Sequence, residues 1–362
     1  MNKILKYISI YLFFFIIGDI LFSNFIYKKK VQNNCYKYTE YFHHLKKNCH
    51  AKEKWLKNAL SYDVYTDNNG YRYSGRKKNT NSKKVATFSG GSFAYGMGLD
   101  YKKIFTGLIE DKNKEYKIIN LGVPGYSTSV FNYQLKKLIN NGIIPKKIFV
   151  VLDVLDISNE ASLWGKKNEY DHPVKLKKNI IDVEDNNSLK NIKRNNFKVS
   201  RLIARSVNNF FRSVRLYFKS LGKEPEESIK TPWGSFLYTK IEETEQWLWE
   251  PFGFNQGIFK VTENMKEISK MAQSINADFY IIIYPWPDAL EYGQNNFNWE
   301  KFANNLCREV SCTELINLFP DFKIIKENSS NWISKIYIKD DMHLNEFGHK
   351  VIADKILQVG FN

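Results

Sequence analysis

The sequence predicts an α/β fold in which a parallel sheet lies between helices. Short β-type runs at 85–89, 116–120, 147–152 and 278–284 alternate with helical patterns at 102–109, 128–139 and 261–275. Strands alternating with helices pair in parallel, because each return crosses a face of the sheet. The third run, KIFVVL, is apolar at almost every position, as expected of a strand covered on both faces. Glycine clusters, Gly90-Gly91 and Gly122-Val123-Pro124-Gly125, follow the first two runs, at the carboxyl ends where such sheets bind ligands.

In chain order, residues 7–27 (YISIYLFFFIIGDILFSNFIY) are mostly apolar, with Asp19 the only charge. The run is long enough for a helix to cross a bilayer. No small-residue cleavage site follows it, so residues 1–30 read as an uncleaved transmembrane signal anchor. Lys3 and Lys6 precede the span and Lys28, Lys29 and Lys30 follow it, which leaves its orientation open. Residues 31–82 read as a polar stem with a helical stretch around 51–60 and a turn at Asp67-Asn68-Asn69-Gly70. The sheet domain occupies 83–362, interrupted at about 160–254 by an insertion longer than an ordinary connection. Within the insertion Val199, Ile203, Val207, Phe210, Val214 and Tyr217 recur every three or four residues beside Arg201, Arg205, Arg212, Arg215 and Lys219. That is a basic amphipathic helix, read as packing on the sheet, with a membrane surface as the other partner.

With 362 residues, 43% hydrophobic and 15% aromatic, the chain has ample material for a core, which excludes a disordered protein. The net charge of +16, from 54 basic against 38 acidic residues, suits a polyanion or reflects a general lysine and asparagine bias. No zinc-finger spacing, RNP-like motif or heptad repeat points to nucleic acid, which is not an expected partner. The four cysteines form two local pairs, Cys35 with Cys49 and Cys307 with Cys312. Paired, they suit an oxidising compartment outside the inner membrane; unpaired buried thiols are the alternative. No Cys/His cluster has metal-ligand spacing.

Two motifs carry the chemistry. Ser89-Gly90-Gly91-Ser92-Phe93-Ala94-Tyr95-Gly96 follows the first strand, and Asp340-Asp341-Met342-His343-Leu344-Asn345-Glu346-Phe347-Gly348-His349 precedes the last helix. A serine on a strand-to-helix turn, with a carboxylate and a histidine in one late loop, supplies the parts of nucleophilic acyl transfer. At a helix start Ser92 places its own backbone N–H where an oxyanion forms, although taken alone it reads as a helix cap.

These blocks resemble the SGNH hydrolases of the GDSL-like esterase and acyltransferase superfamily, over roughly residues 83–156 and 255–358. The resemblance implies a flavodoxin-like three-layer α/β/α fold with Ser92 as nucleophile and no metal or organic cofactor. It implies an oxyanion amide at Gly125, within Asn120-Leu121-Gly122-Val123-Pro124-Gly125-Tyr126-Ser127, beside that of Ser92. His343 is then the general base, oriented by Asp340 or Asp341, since family members use either spacing. Gly91 stands where the family has the aspartate of Gly-Asp-Ser. The family's Gly-x-Asn-Asp block falls on Asp153-Val154-Leu155-Asp156, with Leu155 at the asparagine position. Leucine has no donor, and losing one oxyanion donor lowers turnover by about 10²- to 10³-fold. Asp153 and Asp156 are candidates to hold a loop or a substrate hydroxyl, and Asn159 to reach into the site. Trp286, in Tyr284-Pro285-Trp286-Pro287, is placed to stack on a sugar ring or to serve as packing. His349 is expected to pack at the start of the final helix.

The expected protein is thus a single-pass membrane protein whose extracytoplasmic or periplasmic domain cleaves or transfers an O-acyl group, such as acetyl, on a cell-envelope glycan. A catalytically weak glycan-binding descendant and a basic polyanion-binding protein are the alternatives.

Overall fold

A computed structural model of the chain describes residues 2–22, 34–39, 42–56, 59–76, 84–164, 166–167, 173–174, 200, 203, 251–294 and 297–361. The chain divides into two compact units, one of Met1–Gln32 with Ile181–Ile229, the other of Asn33–Ile180 with Lys230–Asn362. In the first, helix α1 (Asn2–Leu21) takes up most of the N-terminal apolar run. Its Asp19 is buried and accepts hydrogen bonds from the backbone N–H of Ser200 at 2.9 Å and from the Ser200 hydroxyl. The carboxylate is thus solvated by protein donors. Among the described residues no helix is long and apolar enough to cross a membrane. The transmembrane helix expected over 7–27 is therefore not supported, and residues 23–27 of that run lie outside the described residues. Apart from Ser200 and Ile203, the basic amphipathic pattern lies outside the described residues.

The second unit is mixed α/β with a largely parallel central sheet. Strands β1 (Tyr36–Tyr38) and β2 (His43–Leu45) form a separate antiparallel pair. The main sheet contains β3 (His50–Glu53), β4 (Tyr62–Thr66), β5 (Arg72–Tyr73), β6 (Lys84–Gly90), β7 (Tyr116–Asn120) and β8 (Lys147–Val151). A short pair, β9 (Lys166–Lys167) with β10 (Pro173–Val174), stands apart, and β11 (Asp278–Ile283) and β12 (Glu314–Asn317) complete the main sheet. Its order is β12-β11-β8-β6-β7-β5-β4-β3. The first five run parallel, and β5, β4 and β3 extend the sheet antiparallel beyond β7.

This extension corrects the reading of 31–82 as a polar stem with a helix around 51–60. Residues 50–53 alternate exposed and buried, the period of a strand, and Ala51 opposite Val64 is fully enclosed. Arg72 opposite Asn120 joins the extension to the parallel strands, and the Cys35–Cys49 disulfide ties its start together.

Helices α2 (Ser92–Tyr95), α3 (Phe105–Lys112), α4 (Thr128–Asn140), α5 (Val154–Ser162) and α6 (Phe254–Ser274) connect the parallel strands. They are followed by α7 (Pro287–Tyr292), α8 (Trp299–Glu309), α9 (Phe319–Glu327), α10 (Trp332–Ile336) and α11 (Glu346–Gly360). Helices α4, α5 and α6 pack together, as do α3 and α11. Phe88 and Phe149 stack at 4.6 Å between adjacent strands and meet Phe105 of α3 and Gly360 of α11. Strand alternation sends Ile148 and Val150 to the opposite face. The order of the parallel strands reverses at β6, which has β7 on one side and β8 on the other. Crossovers leave such a strand to opposite sides, opening a crevice at its carboxyl end. Ser92 stands there.

Candidate active site

Strand β6 ends at Gly90, and Ser92 is the first residue of α2, with Gly91 at the N-cap position and no side-chain cap. Ser92 Oγ lies 2.8 Å from His343 Nε2, and His343 Nδ1 lies 2.8 Å from Asp341 Oδ2. Asp341 and His343 are each only 6% exposed, so water is largely kept from the pair. Burial pushes the Asp341 carboxyl up, but the hydrogen bond and charge of His343, with further bonds from Trp55 and Met342, hold it below the usual carboxylate range. An ionised carboxylate only accepts, so Nδ1 carries the imidazole proton and Nε2 accepts from the Ser92 hydroxyl. Asp340 is exposed, with φ of +61°, and its neighbour makes the contact. Of the two acids offered by the sequence, Asp341 meets the histidine.

Two aromatic rings seat the imidazole. Phe93 lies 4.8 Å away on one side, and Trp55 stands edge-on at 5.4 Å. Trp55 Nε1–H also donates to Asp341 Oδ2 at 2.6 Å, so one carboxylate oxygen serves both His343 and Trp55. Trp55 follows β3, in the region read as a stem, and nothing in the sequence around it signals this role.

The serine turn is held from beneath. Arg72, 1% exposed, donates Nη1–H to the carbonyls of Tyr95 and Gly96 and Nη2–H to that of Leu99, taking up carbonyls where α2 ends. Its guanidinium lies 4.4 Å from the Tyr95 ring centroid. Asn120 donates to Ala94 O at 2.7 Å and accepts from Gly122 N–H at 2.8 Å, joining α2 to the loop after β7. A Cβ on Gly122 would sit 2.4 Å from Tyr95 N; only glycine permits that approach.

Gly125 lies in the same loop with φ of +76°, a conformation that favours glycine. Trp164 Nε1–H donates to its carbonyl at 3.1 Å, and His43 Nε2 lies 2.7 Å from Pro124 O. A Cβ on Gly91 would lie 3.6 Å from Tyr126 O, which places the loop against the serine turn. Among the described residues the backbone N–H groups of Ser92 and Gly125 have no acceptor, as an oxyanion site requires.

After β8 the acids turn inward. Asp153 caps α5 by accepting from Leu155 N–H at 2.9 Å, and Asp156 reaches back to Asp153 N–H at 2.7 Å, a capping box. Burial, then the charge of Asp153, pushes the Asp156 carboxyl well above its ordinary value. Asp156, offered by the sequence as a substrate-binding residue, is 2% exposed and holds the loop. Leu155 spends its own amide on the cap, so it supplies no oxyanion donor from backbone or side chain. Asn159 accepts, through its carbonyl, from the Leu163 and Trp164 amides.

Trp286 is 5% exposed, packed 6.1 Å from Phe93 beside Tyr284, whose hydroxyl donates to Asp153. The mostly apolar cavity it lines, with Phe297 and Trp299, has room of about 30 Å³, space for two or so waters and not for a sugar ring. No face is offered to a sugar ring, so Trp286 is packing. His349 is buried against Phe105 and accepts from Phe105 N–H at 3.3 Å. Burial, Arg72 and His343 lower it to about 3, so it stays neutral. Among the described residues no group of three or more His, Cys, Asp or Glu is arranged to hold a metal ion.

No protein-family model matches the chain, and no curated protein sequence does. The solved structures similar to it include the crystal structure of TesA, 10% identical over 76% of this chain and 97% of that one, with a TM-score of 0.39. A member of the lipolytic protein G-D-S-L family from Veillonella parvula is 11% identical over 77% and 99%, with a TM-score of 0.42. A catalytic mutant of Axe2, an acetylxylan esterase from Geobacillus stearothermophilus, is 7% identical over 76% and 94%, with a TM-score of 0.40.

Proposed function

We propose that the chain is an SGNH-type serine esterase or O-acyltransferase on a flavodoxin-like three-layer scaffold. One observation carries the reading: the continuous hydrogen-bonded series Ser92 Oγ, His343 Nε2, His343 Nδ1, Asp341 Oδ2 at the switch point of the sheet. Ser92 attacks the ester carbonyl while His343 Nε2 takes its proton, and Asp341 stabilises the imidazolium. The amides of Ser92 and Gly125 receive the oxyanion. The alcohol leaves with the proton from His343, and water or an acceptor hydroxyl then takes the acyl group from Ser92 by the same route reversed.

The proposed substrate is an O-acyl, for instance O-acetyl, carbohydrate of the cell envelope. The bridges Cys35–Cys49 and Cys307–Cys312 support an extracytoplasmic site, and the apolar run 7–27 alone supports membrane attachment, which alkaline carbonate extraction tests. A fluorophosphonate probe should label the folded protein, and Ser92→Ala should abolish the label together with hydrolysis of a chromogenic acetyl ester. The missing donor at Leu155 favours a second reading, a weak glycan binder. Absence of labelling in the folded wild type would decide for that reading against the enzyme.

A further inference from the structure

A second concavity, of about 720 Å³, borders the loop that carries Gly125. Val123 and Tyr126 of that loop form one wall, and Lys37, Lys46, Lys47 and Lys137 stand around it. None of its lining residues is acidic. Among the described residues no carboxylate pairs with any of these four ammonium groups; Lys46 donates only to the backbone carbonyl of Asn34, at 2.9 Å. Like charges gathered without counter-charges repel one another, and an anion relieves that repulsion. The field is felt within the site: burial, then Lys37 and Lys137, hold the His44 imidazole below its ordinary value.

The rest of the lining narrows the ligand. Phe42, Tyr71 and Tyr133 are half-buried rings in the wall, surfaces on which the C–H face of a sugar packs. A lipid bilayer is too flat for such a hollow. The volume is that of a pocket for a ligand of a few rings.

The geometry points to a binding site for an anionic glycan, a sugar polymer bearing carboxylate or phosphodiester groups, running from this lysine-lined hollow towards Ser92 past the Gly125 loop. The assignment deepens the esterase reading and rests on it, because it makes the acylated substrate an acidic carbohydrate. The anionic units dock in the hollow, while the acylated unit reaches the serine. His43 and Tyr126 couple the two regions: Tyr126 donates its hydroxyl to His43 O at 2.6 Å, and the His43 ring holds Pro124 O.

The test is calorimetric titration of the full chain with oligogalacturonate, a neutral galacto-oligosaccharide of equal length, the phosphodiester-linked sugar polymer poly(N-acetylmannosamine phosphate), single-stranded DNA and phosphatidylglycerol vesicles. Either acidic glycan should bind more tightly than the neutral one, its identity separating carboxylate from phosphodiester recognition. The triple variant Lys37→Gln/Lys47→Gln/Lys137→Gln changes exposed side chains only and should weaken that binding about tenfold, with hydrolysis of a small chromogenic ester unchanged. Ser92→Ala should bind the glycan as the wild type does. Equal or tighter binding of the neutral sugar, DNA or vesicles, no glycan binding, or indifference to the triple variant each overturns the site. Loss of the esterase reading appears separately, as a wild type inert towards the small ester.

Discussion

Replacing Asp341 by asparagine separates the two acids that the sequence left open. The Asp341 carboxylate receives His343 Nδ1–H and Trp55 Nε1–H on Oδ2, and Met342 N–H at 2.8 Å on Oδ1. An asparagine must aim its NH₂ at one side or the other. Aimed at Met342, it sets two donors against each other but preserves the imidazole tautomer, and only the charge behind the imidazolium is lost. Aimed at His343, it opposes the Trp55 N–H and fixes the imidazole proton on Nε2, which can then no longer accept from Ser92. Each donor clash costs about 1–3 kcal/mol, so the first orientation competes with the second. Loss of charge together with the wrong tautomer lowers kcat by about 10⁴-fold, or roughly 5.4 kcal/mol; retention of the tautomer in part of the molecules limits the fall to about 10²–10³-fold. Adding Trp55→Phe removes one clash, releases the wrong orientation and should deepen the loss towards the full value. Asp340→Asn, on an exposed side chain, should stay within about twofold. The assay is kcat for a chromogenic acetyl ester, with thermal melting to confirm folding. Asp341→Asn within tenfold of wild type, or Asp340→Asn as the crippled variant, would refute the assignment.

The depressed Asp341 carboxyl contributes stability that is full above its unfolded value of about 3.9 and is lost as pH falls through its lower folded value. The Tm gap between wild type and Asp341→Asn should therefore close on acidification below about pH 4. Arg72→Met takes the guanidinium donor from the buried carbonyls of Tyr95 and Gly96 and the half-buried one of Leu99, while Gly96 O keeps Leu99 N–H at 3.3 Å; at about 1–3 kcal/mol for a buried carbonyl left unpaired, denaturant unfolding should register a loss of about 2 kcal/mol or more. Gly125→Ala has room for the methyl, whose nearest neighbour is His43 Cε1 at 3.6 Å, but not the backbone freedom. Stability should fall by about 1–2 kcal/mol, while kcat falls about 10²-fold as the amide leaves the oxyanion. Cys35→Ala/Cys49→Ala opens a loop with a sequence separation of 14, and chemical denaturation should show a loss of about 3 kcal/mol.

The sequence by itself determined the alternation of strands and helices, the turn that carries Ser92, the glycine at 125 and the late Asp-x-His segment. These are local properties: periodicity, backbone freedom and cap chemistry operate within a few residues. It left three matters to the tertiary structure. Ser92 and His343 stand 251 positions apart, and only the closing of the sheet and the docking of the last loop decide which acid faces the imidazole. Residues 50–73, polar and short in period, read as a stem because β-pairing depends on a partner strand rather than on the strand itself; once paired they supply Arg72 beneath the serine turn and lead to Trp55 behind Asp341. Asp156 and Trp286 carry chemistry suited to a ligand, yet capping and packing enclose them, and burial is fixed by what the rest of the chain places over a residue.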